Sequence, residues 1–183
     1  MLFRSAIYYF NEIYQKHVAY GKSHIKVFTS KHKIIARYVI GADGPGSRVA
    51  KQFGKDIPVI AAAQVRAKYT YPQNQTSMIF HEKWRELFGY IVPEGSNQIS
   101  RIGLATQKYP GKKLRHFLES LGITNLHILD RQGGLIPFGF PQQIVYDRTA
   151  LLGDAAGMVK ATTGGGIIMS ICAANILSEE IHK

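Results

Sequence analysis

Leu151-Leu152-Gly153-Asp154-Ala155-Ala156-Gly157, with Thr162-Thr163-Gly164-Gly165-Gly166 a few residues on, is the stretch on which the reading of this 183-residue chain turns. Thr149 to Leu152 has the composition of a short buried strand. Gly153 turns the chain, and Asp154 falls at the strand's carboxyl end, where α/β proteins bind ligands. Only small residues follow, so nothing blocks an approaching group. Three consecutive glycines carry a conformational cost. Close backbone contact with a flat or anionic group explains them best, because they open an apolar helix whose positive N-terminus favours negative charge. That helix is expected from about Gly165 to the end, with Ile168, Ile171, Ala174 and Ile181 as its buried face. Cys172, the only cysteine, falls in this run and is expected to be a buried, structural thiol.

Working outward, the same logic recurs at Tyr38-Val39-Ile40-Gly41-Ala42-Asp43-Gly44-Pro45-Gly46-Ser47-Arg48. The apolar end of a strand, expected to be covered on both faces, leads into a glycine-rich turn. Ser47 then caps a short helix, Arg48 to Phe53, ended by Gly54. Asp43 has two readings: an acceptor for ribose or ribityl hydroxyls, or the cap of an ordinary strand-turn-helix connection. Upstream, residues 4–17 show helical spacing of Ile7, Phe10, Ile13 and Tyr14. His24–Thr29 and Ile34–Ile40 form a hairpin across Lys31-His32-Lys33.

Residues 57–110 change character. Ile60–Thr70, Ser77–His81, Leu87–Val92 and Ile99–Thr106 are β-rich segments between turns, which makes an antiparallel sheet. A helix over 112–121 ends at Gly122, and Leu126–Asp130 and Gly134–Phe138 are two further strands. The expected architecture is α+β / α/β: part of a Rossmann-like, three-layer cofactor domain built from 1–56 and 145–183, with an antiparallel-sheet substrate domain, 57–144, inserted.

An apolar share of 45% against 19% charged residues is globular rather than disordered composition. The 23 Lys and Arg against 12 Asp and Glu favour anionic partners. Neither the early basic group (Lys22 to Lys55) nor the later one (Lys108, Lys112, Lys113, Arg115) is a solid run or a nucleic-acid motif, so no nucleic-acid partner is expected. One cysteine excludes an internal disulfide and a multi-cysteine metal site. The seven histidines are scattered without metal-ligand spacing, so no metal is expected. No apolar stretch is long enough for a transmembrane helix and the N-terminus is not a signal peptide. A cytoplasmic protein, with peripheral membrane contact as an option, is the expectation.

Taken together, Val39-Ile40-Gly41-Ala42-Asp43-Gly44 and Leu152-Gly153-Asp154-Ala155-Ala156-Gly157 with Thr163-Gly164-Gly165-Gly166-Ile167 resemble the flavin-dependent hydroxylase superfamily, and within it the geranylgeranyl reductase family, whose members saturate isoprenoid double bonds. The resemblance implies FAD as cofactor, with NAD(P)H or ferredoxin as electron donor. It implies that Asp43 and Gly44 lie near the pyrophosphate, that Gly153 and Asp154 meet ribose-phosphate or ribityl oxygens, and that Gly164, Gly165 and Gly166 back the flavin ring. Phe88-Gly89-Tyr90-Ile91-Val92-Pro93 followed by Gly103 resembles the family's aromatic-Pro strand motif, YxWxFP then GxG. That implies Phe88, Tyr90, Val92, Pro93 and Gly103 as a wall for an apolar isoprenoid or lipid substrate, although plain sheet core fits the same residues. Two departures stand out. Lys160-Ala161 occupies the place where the superfamily has a proline, and no GxGxxG for the ADP half of FAD occurs anywhere in the chain. The chain is therefore expected to be the middle portion of such an enzyme, completed by a missing N-terminal segment or a partner chain.

No nucleophile–base pair stands out, so no catalytic residue is assigned; in this family the cofactor carries the reaction. The competing readings are an oxygen-using FAD monooxygenase, a non-catalytic remnant that binds an apolar ligand or partner, and a basic nucleic-acid or membrane-surface binder.

Overall fold

A computed structural model describes residues 6–95, 98–160 and 162–182. β1 (Tyr14–Tyr20), β2 (His24–Thr29) and β3 (Lys33–Ala36) form a three-stranded antiparallel meander. β4 (Val39–Gly41) leads to α1 (Arg48–Gln52). β5 (Val59–Lys68), β6 (Ser77–Ile79), β7 (Gly89–Glu94) and β8 (Ile99–Thr106) follow. Then come α2 (Pro110–Ser120), β9 (His127–Pro137), β10 (Val145–Tyr146), β11 (Thr149–Leu151) and α3 (Ile167–Ile181).

The largest sheet is antiparallel, in the order β6-β7-β8-β5-β9. One of its faces packs on α2 through Val65, Ile91, Ile102, Leu104, Leu114 and Phe117, with Trp84 edge-on to Phe117. Burying side chains of this size contributes about 1.5–3 kcal/mol each, so this face is the main source of stability. A second small core joins Val49 and Ala50 of α1 to Leu151 and Ala156. It sits beneath the third sheet, β10-β11-β4, in which β11 and β4 are parallel.

The antiparallel sheet, the hairpin and the Ser47 cap match the expectations from sequence; the Ser47 hydroxyl accepts the Ala50 N–H at 2.9 Å. Other expectations are corrected. Among the described residues of 4–17 there is no helix: Asn11 takes a left-handed φ of 54° and Tyr14 onward is β1. Isoleucines and aromatic residues are weak helix formers, and pairing with β2 outweighs their spacing. The strand expected over Ile34–Ile40 breaks after Ala36, so its two halves serve different sheets. Its last part is not covered on both faces, since Tyr38 and Ile40 are exposed. The strands expected over 126–130 and 134–138 are one continuous strand, β9, because β5 pairs along its whole length. The helix face assigned to Ile168 and Ile171 is exposed, as is Cys172. No residue of α3 is buried, because α3 rests mainly on the single turn Gly153–Ala156.

Candidate cofactor site

Val39 lies opposite Thr149, Ile40 opposite Ala150 and Gly41 opposite Leu151. The pairing runs one residue further, where the Leu152 N–H donates to the Gly41 carbonyl at 2.9 Å. The turns carrying Asp43 and Asp154 therefore leave the sheet side by side, at the carboxyl ends of neighbouring parallel strands. Ligands bind at this edge of α/β sheets. Gly41 permits the close packing: a Cβ there would stand 2.8 Å from the Val49 Cβ and 2.9 Å from the Leu151 Cδ2.

The two aspartates are engaged differently. One oxygen of Asp43 accepts the Ser47 hydroxyl at 2.6 Å, and the other accepts the Arg48 and Val49 amides at 2.7 and 3.3 Å. Asp43 thus caps α1, which satisfies amides that a helix start leaves without partners. Gly44 follows it in the left-handed region, with φ 77°. Asp154 is half-buried in the turn Gly153–Ala156. Among the described residues its carboxylate has no hydrogen bond and no ion pair. Its acceptor capacity is free for a ligand.

The glycine run closes a tight loop. The Lys160 carbonyl accepts the Gly164 N–H at 2.9 Å, and the Gly165 carbonyl accepts the Lys160 N–H at 3.1 Å. A Cβ on Gly166 would lie 2.5 Å from the Met158 carbonyl oxygen, so the chain's own packing demands glycine there. Gly165 differs: it is exposed, and a Cβ would meet only the Thr163 hydroxyl at 3.4 Å. Its smallness serves no internal contact. No side chain caps the start of α3, so the amides of its first turn remain available donors.

Beside this loop opens an apolar cavity of about 180 Å³. Gly164, Val159 and Lys160 form one side of it, and Ile60 and Ile136 of the large sheet, with Leu87 from the bend before β7, form the other. The segment Phe138-Gly139-Phe140 rims it; its sequence suggests only a strand end at Phe138, although a Phe-Gly-Phe between Pro137 and Pro141 is a visible signal. Gly157 holds the two regions together, because a Cβ there would lie 2.3 Å from the Gly139 carbonyl oxygen.

The aromatic-Pro motif is split by the alternation of β7. Gly89 meets the Phe117 ring, so Gly89, Ile91 and Pro93 face α2. Phe88, Tyr90 and Val92 face the other side, where the Phe88 ring lies edge-on to Phe80 and Tyr90. The Tyr90 hydroxyl donates to Gln64 at 2.7 Å, and burial pushes its pKa up. Gly103 seats that ring: a Cβ would lie 2.5 Å from the Tyr90 oxygen. The structure thus brings Phe88, Tyr90 and Gly103 together and leaves Pro93 on the opposite face. None of the five lines the cavity; Leu87 connects them to it. Among the described residues no three His, Cys, Asp or Glu side chains converge as metal ligands.

The sequence model of the lycopene cyclase protein family matches residues 11–183. The chain belongs to that family. Among curated relatives, digeranylgeranylglycerophospholipid reductase 1 of Methanothermobacter thermautotrophicus is 34% identical over 152 residues. The match covers 75% of this chain and 38% of the reductase. The chloroplastic geranylgeranyl diphosphate reductase of Nicotiana tabacum is 30% identical, over 78% of this chain and 33% of the enzyme. The chain thus spans about two fifths or less of the length of these relatives. Among solved structures, a geranylgeranyl bacteriochlorophyll reductase-like protein from Thermoplasma acidophilum superimposes with a TM-score of 0.75 at 18% identity, covering 93% of this chain and 49% of that one. Aklavinone-11 hydroxylase in complex with FAD and aklavinone gives a TM-score of 0.69 at 16% identity, covering 93% of this chain and 36% of the hydroxylase. The chain accordingly shares the fold of this reductase-like protein and of the hydroxylase, a mixed α/β fold with an antiparallel sheet.

Proposed function

We propose that this chain forms the ribityl and ring side of an FAD site in an enzyme that saturates isoprenoid double bonds. The observation that carries this reading is the side-by-side exit of the Asp43 and Asp154 turns from parallel strands, next to an apolar cavity that ends on Gly164. The residues fit a flavin on that side. Asp154 offers a half-buried carboxylate to ribityl or ribose hydroxyls. Gly165 leaves room that no internal contact uses. Gly164 to Gly166 present backbone and the uncapped start of α3 to a ring that gains negative charge on reduction. Asp43 and Gly44 would stand near the pyrophosphate, with Asp43 acting through the helix start that it caps.

When bound, reduced FAD supplies the hydride; NAD(P)H or ferredoxin would in turn reduce it. The chain's own task is to hold the apolar substrate and keep water away from the ring. The cavity wall and the Phe88, Tyr90, Val92 and Gly103 surface behind Leu87 suit that task, and Pro93 supports it from the α2 side of the sheet. The nucleotide half needs a glycine-rich strand that these 183 residues do not contain. β4 ends its sheet among the described residues, with Tyr38 and Ile40 exposed, and one more parallel strand from a partner chain or a further segment fits there. A cytoplasmic site of action suits the reading.

Titrating the whole chain with FAD while following flavin fluorescence tests it. Saturable binding is expected, and Asp154→Asn should weaken it about 10- to 100-fold, as for the loss of a hydrogen bond to a charged acceptor. No detectable affinity, alone or together with a chain that supplies the glycine-rich strand, would overturn it. Under reducing, anaerobic conditions a saturated prenyl chain is the expected product. Oxygen uptake with a hydroxylated product would instead mark a monooxygenase.

A further inference from the structure

The meander β1-β2-β3 has two unlike faces. Its inner face is anchored: His17 and Ile25 are buried, and the His17 ring meets the Thr149 hydroxyl of β11 at 3.0 Å. Its outer face carries a repeating pattern fixed by strand register. Lys16 pairs with Phe28, which pairs with Lys33; Val18 pairs with Lys26, which pairs with Ile35. Each row alternates cationic and apolar side chains, and the second row is the inverse of the first. The ammonium groups lie on the rings: Lys16 is 5.6 Å from the Phe28 centroid, and Lys26 is 5.8 Å from Phe28 and 5.5 Å from Tyr20.

The charge of this region is one-sided. Between Glu12 and Asp43 the sequence has six Lys and Arg and no acidic residue. Lysines on edge strands β1 and β3 would be ordinary protection against edge-to-edge pairing. Lys26 is on the central strand, where that explanation fails. Val18, Tyr20 and Ile35 remain 45%, 48% and 54% exposed within the patch. At the β2–β3 turn, Tyr9 packs on His32, which keeps the more exposed Ile7, Tyr8 and Phe10 close to the same end.

We propose that this face is a docking surface for an anionic lipid bilayer. Lysines interleaved with aliphatic and aromatic side chains suit the headgroup region: the cations meet lipid phosphates, and the apolar groups and rings enter the interfacial layer between them. A nucleic acid would use the cations and the rings, but it offers Val18 and Ile35 no apolar partner, which decides between the two polyanions. The proposal is independent of the flavin reading, since none of these residues belongs to that site.

Co-sedimentation of the whole chain with vesicles tests it. Vesicles of equal parts phosphatidylglycerol and phosphatidylcholine should bind, and phosphatidylcholine alone should not. The triple variant Lys16→Glu, Lys26→Glu, Lys33→Glu should lose about 100-fold in partitioning. A control reversal at Lys108, Lys112 and Arg115, near and on α2, should cost far less. A triple Lys→Gln variant, checked by circular dichroism, gives a weaker loss in the same direction if the Glu variant fails to fold. Tyr20→Trp adds a reporter to a chain whose single native Trp84 is buried, and its emission should shift to the blue on phosphatidylglycerol vesicles. Equal losses for the two reversals, no vesicle binding, or tighter binding to duplex DNA without a blue shift would each overturn the proposal.

Discussion

Gly103 is a buried position whose role differs from the one its motif implied. The sequence marked it as part of a substrate wall; in the fold it is the seat on which the Tyr90 ring lies. The residue type was readable, and its partner was not, because Tyr90 is brought over Gly103 by the β7–β8 register and not by local spacing. Gly103→Ala should destabilise the chain by about 1–3 kcal/mol, the usual cost of overpacking, which urea unfolding would measure. His17 was set aside with the other histidines, yet it is buried between Tyr14 (2.7 Å) and Thr149 (3.0 Å). Burial holds its pKa below the ordinary 6.5 and raises that of Tyr14 to about 12. The unfolded chain therefore binds a proton at His17 before the folded chain does. Stability should fall as pH drops below about 6.5 and stop falling once the folded pKa is passed. Thermal melts of the wild type and of His17→Gln check this: the variant should lack that component of the slope.

At the scale of elements, β8 was legible to the residue and β1 was not. The β-rich run Ile99–Thr106 coincides with β8, which pairs with a neighbour on each side, β5 and β7. Near the N-terminus the isoleucine and aromatic spacing allows a helix, and backbone pairing with β2 decides for a strand from Tyr14 onward. α3 shows the opposite error. Its apolar residues announced a helix correctly, but spacing alone cannot say what covers it, and the described chain covers little. Cys172, expected to be buried, is exposed on that helix. It should react with Ellman's reagent in the folded chain at a rate near that of the urea-unfolded chain, read by absorbance. Strong protection in the free chain would mean that α3 packs elsewhere.

Across the whole molecule, the sequence carried the fold class and the antiparallel sheet because both rest on local alternation and on turn chemistry. What it could not carry was the joining of distant parts: the Gly139–Gly157 contact, the cavity between Leu87 and Gly164, and the two-faced meander. One such joining also has a consequence in time. β4 and β11 pair across about 110 residues. Closing so long a loop is entropically expensive until the intervening sheet has folded and shortened it. The hairpins between them can form early, from neighbouring strands. The two aspartate turns should therefore come into register late in refolding. A stopped-flow signal from a probe at the β4–β11 junction should lag behind Trp84 fluorescence, which reports the large sheet.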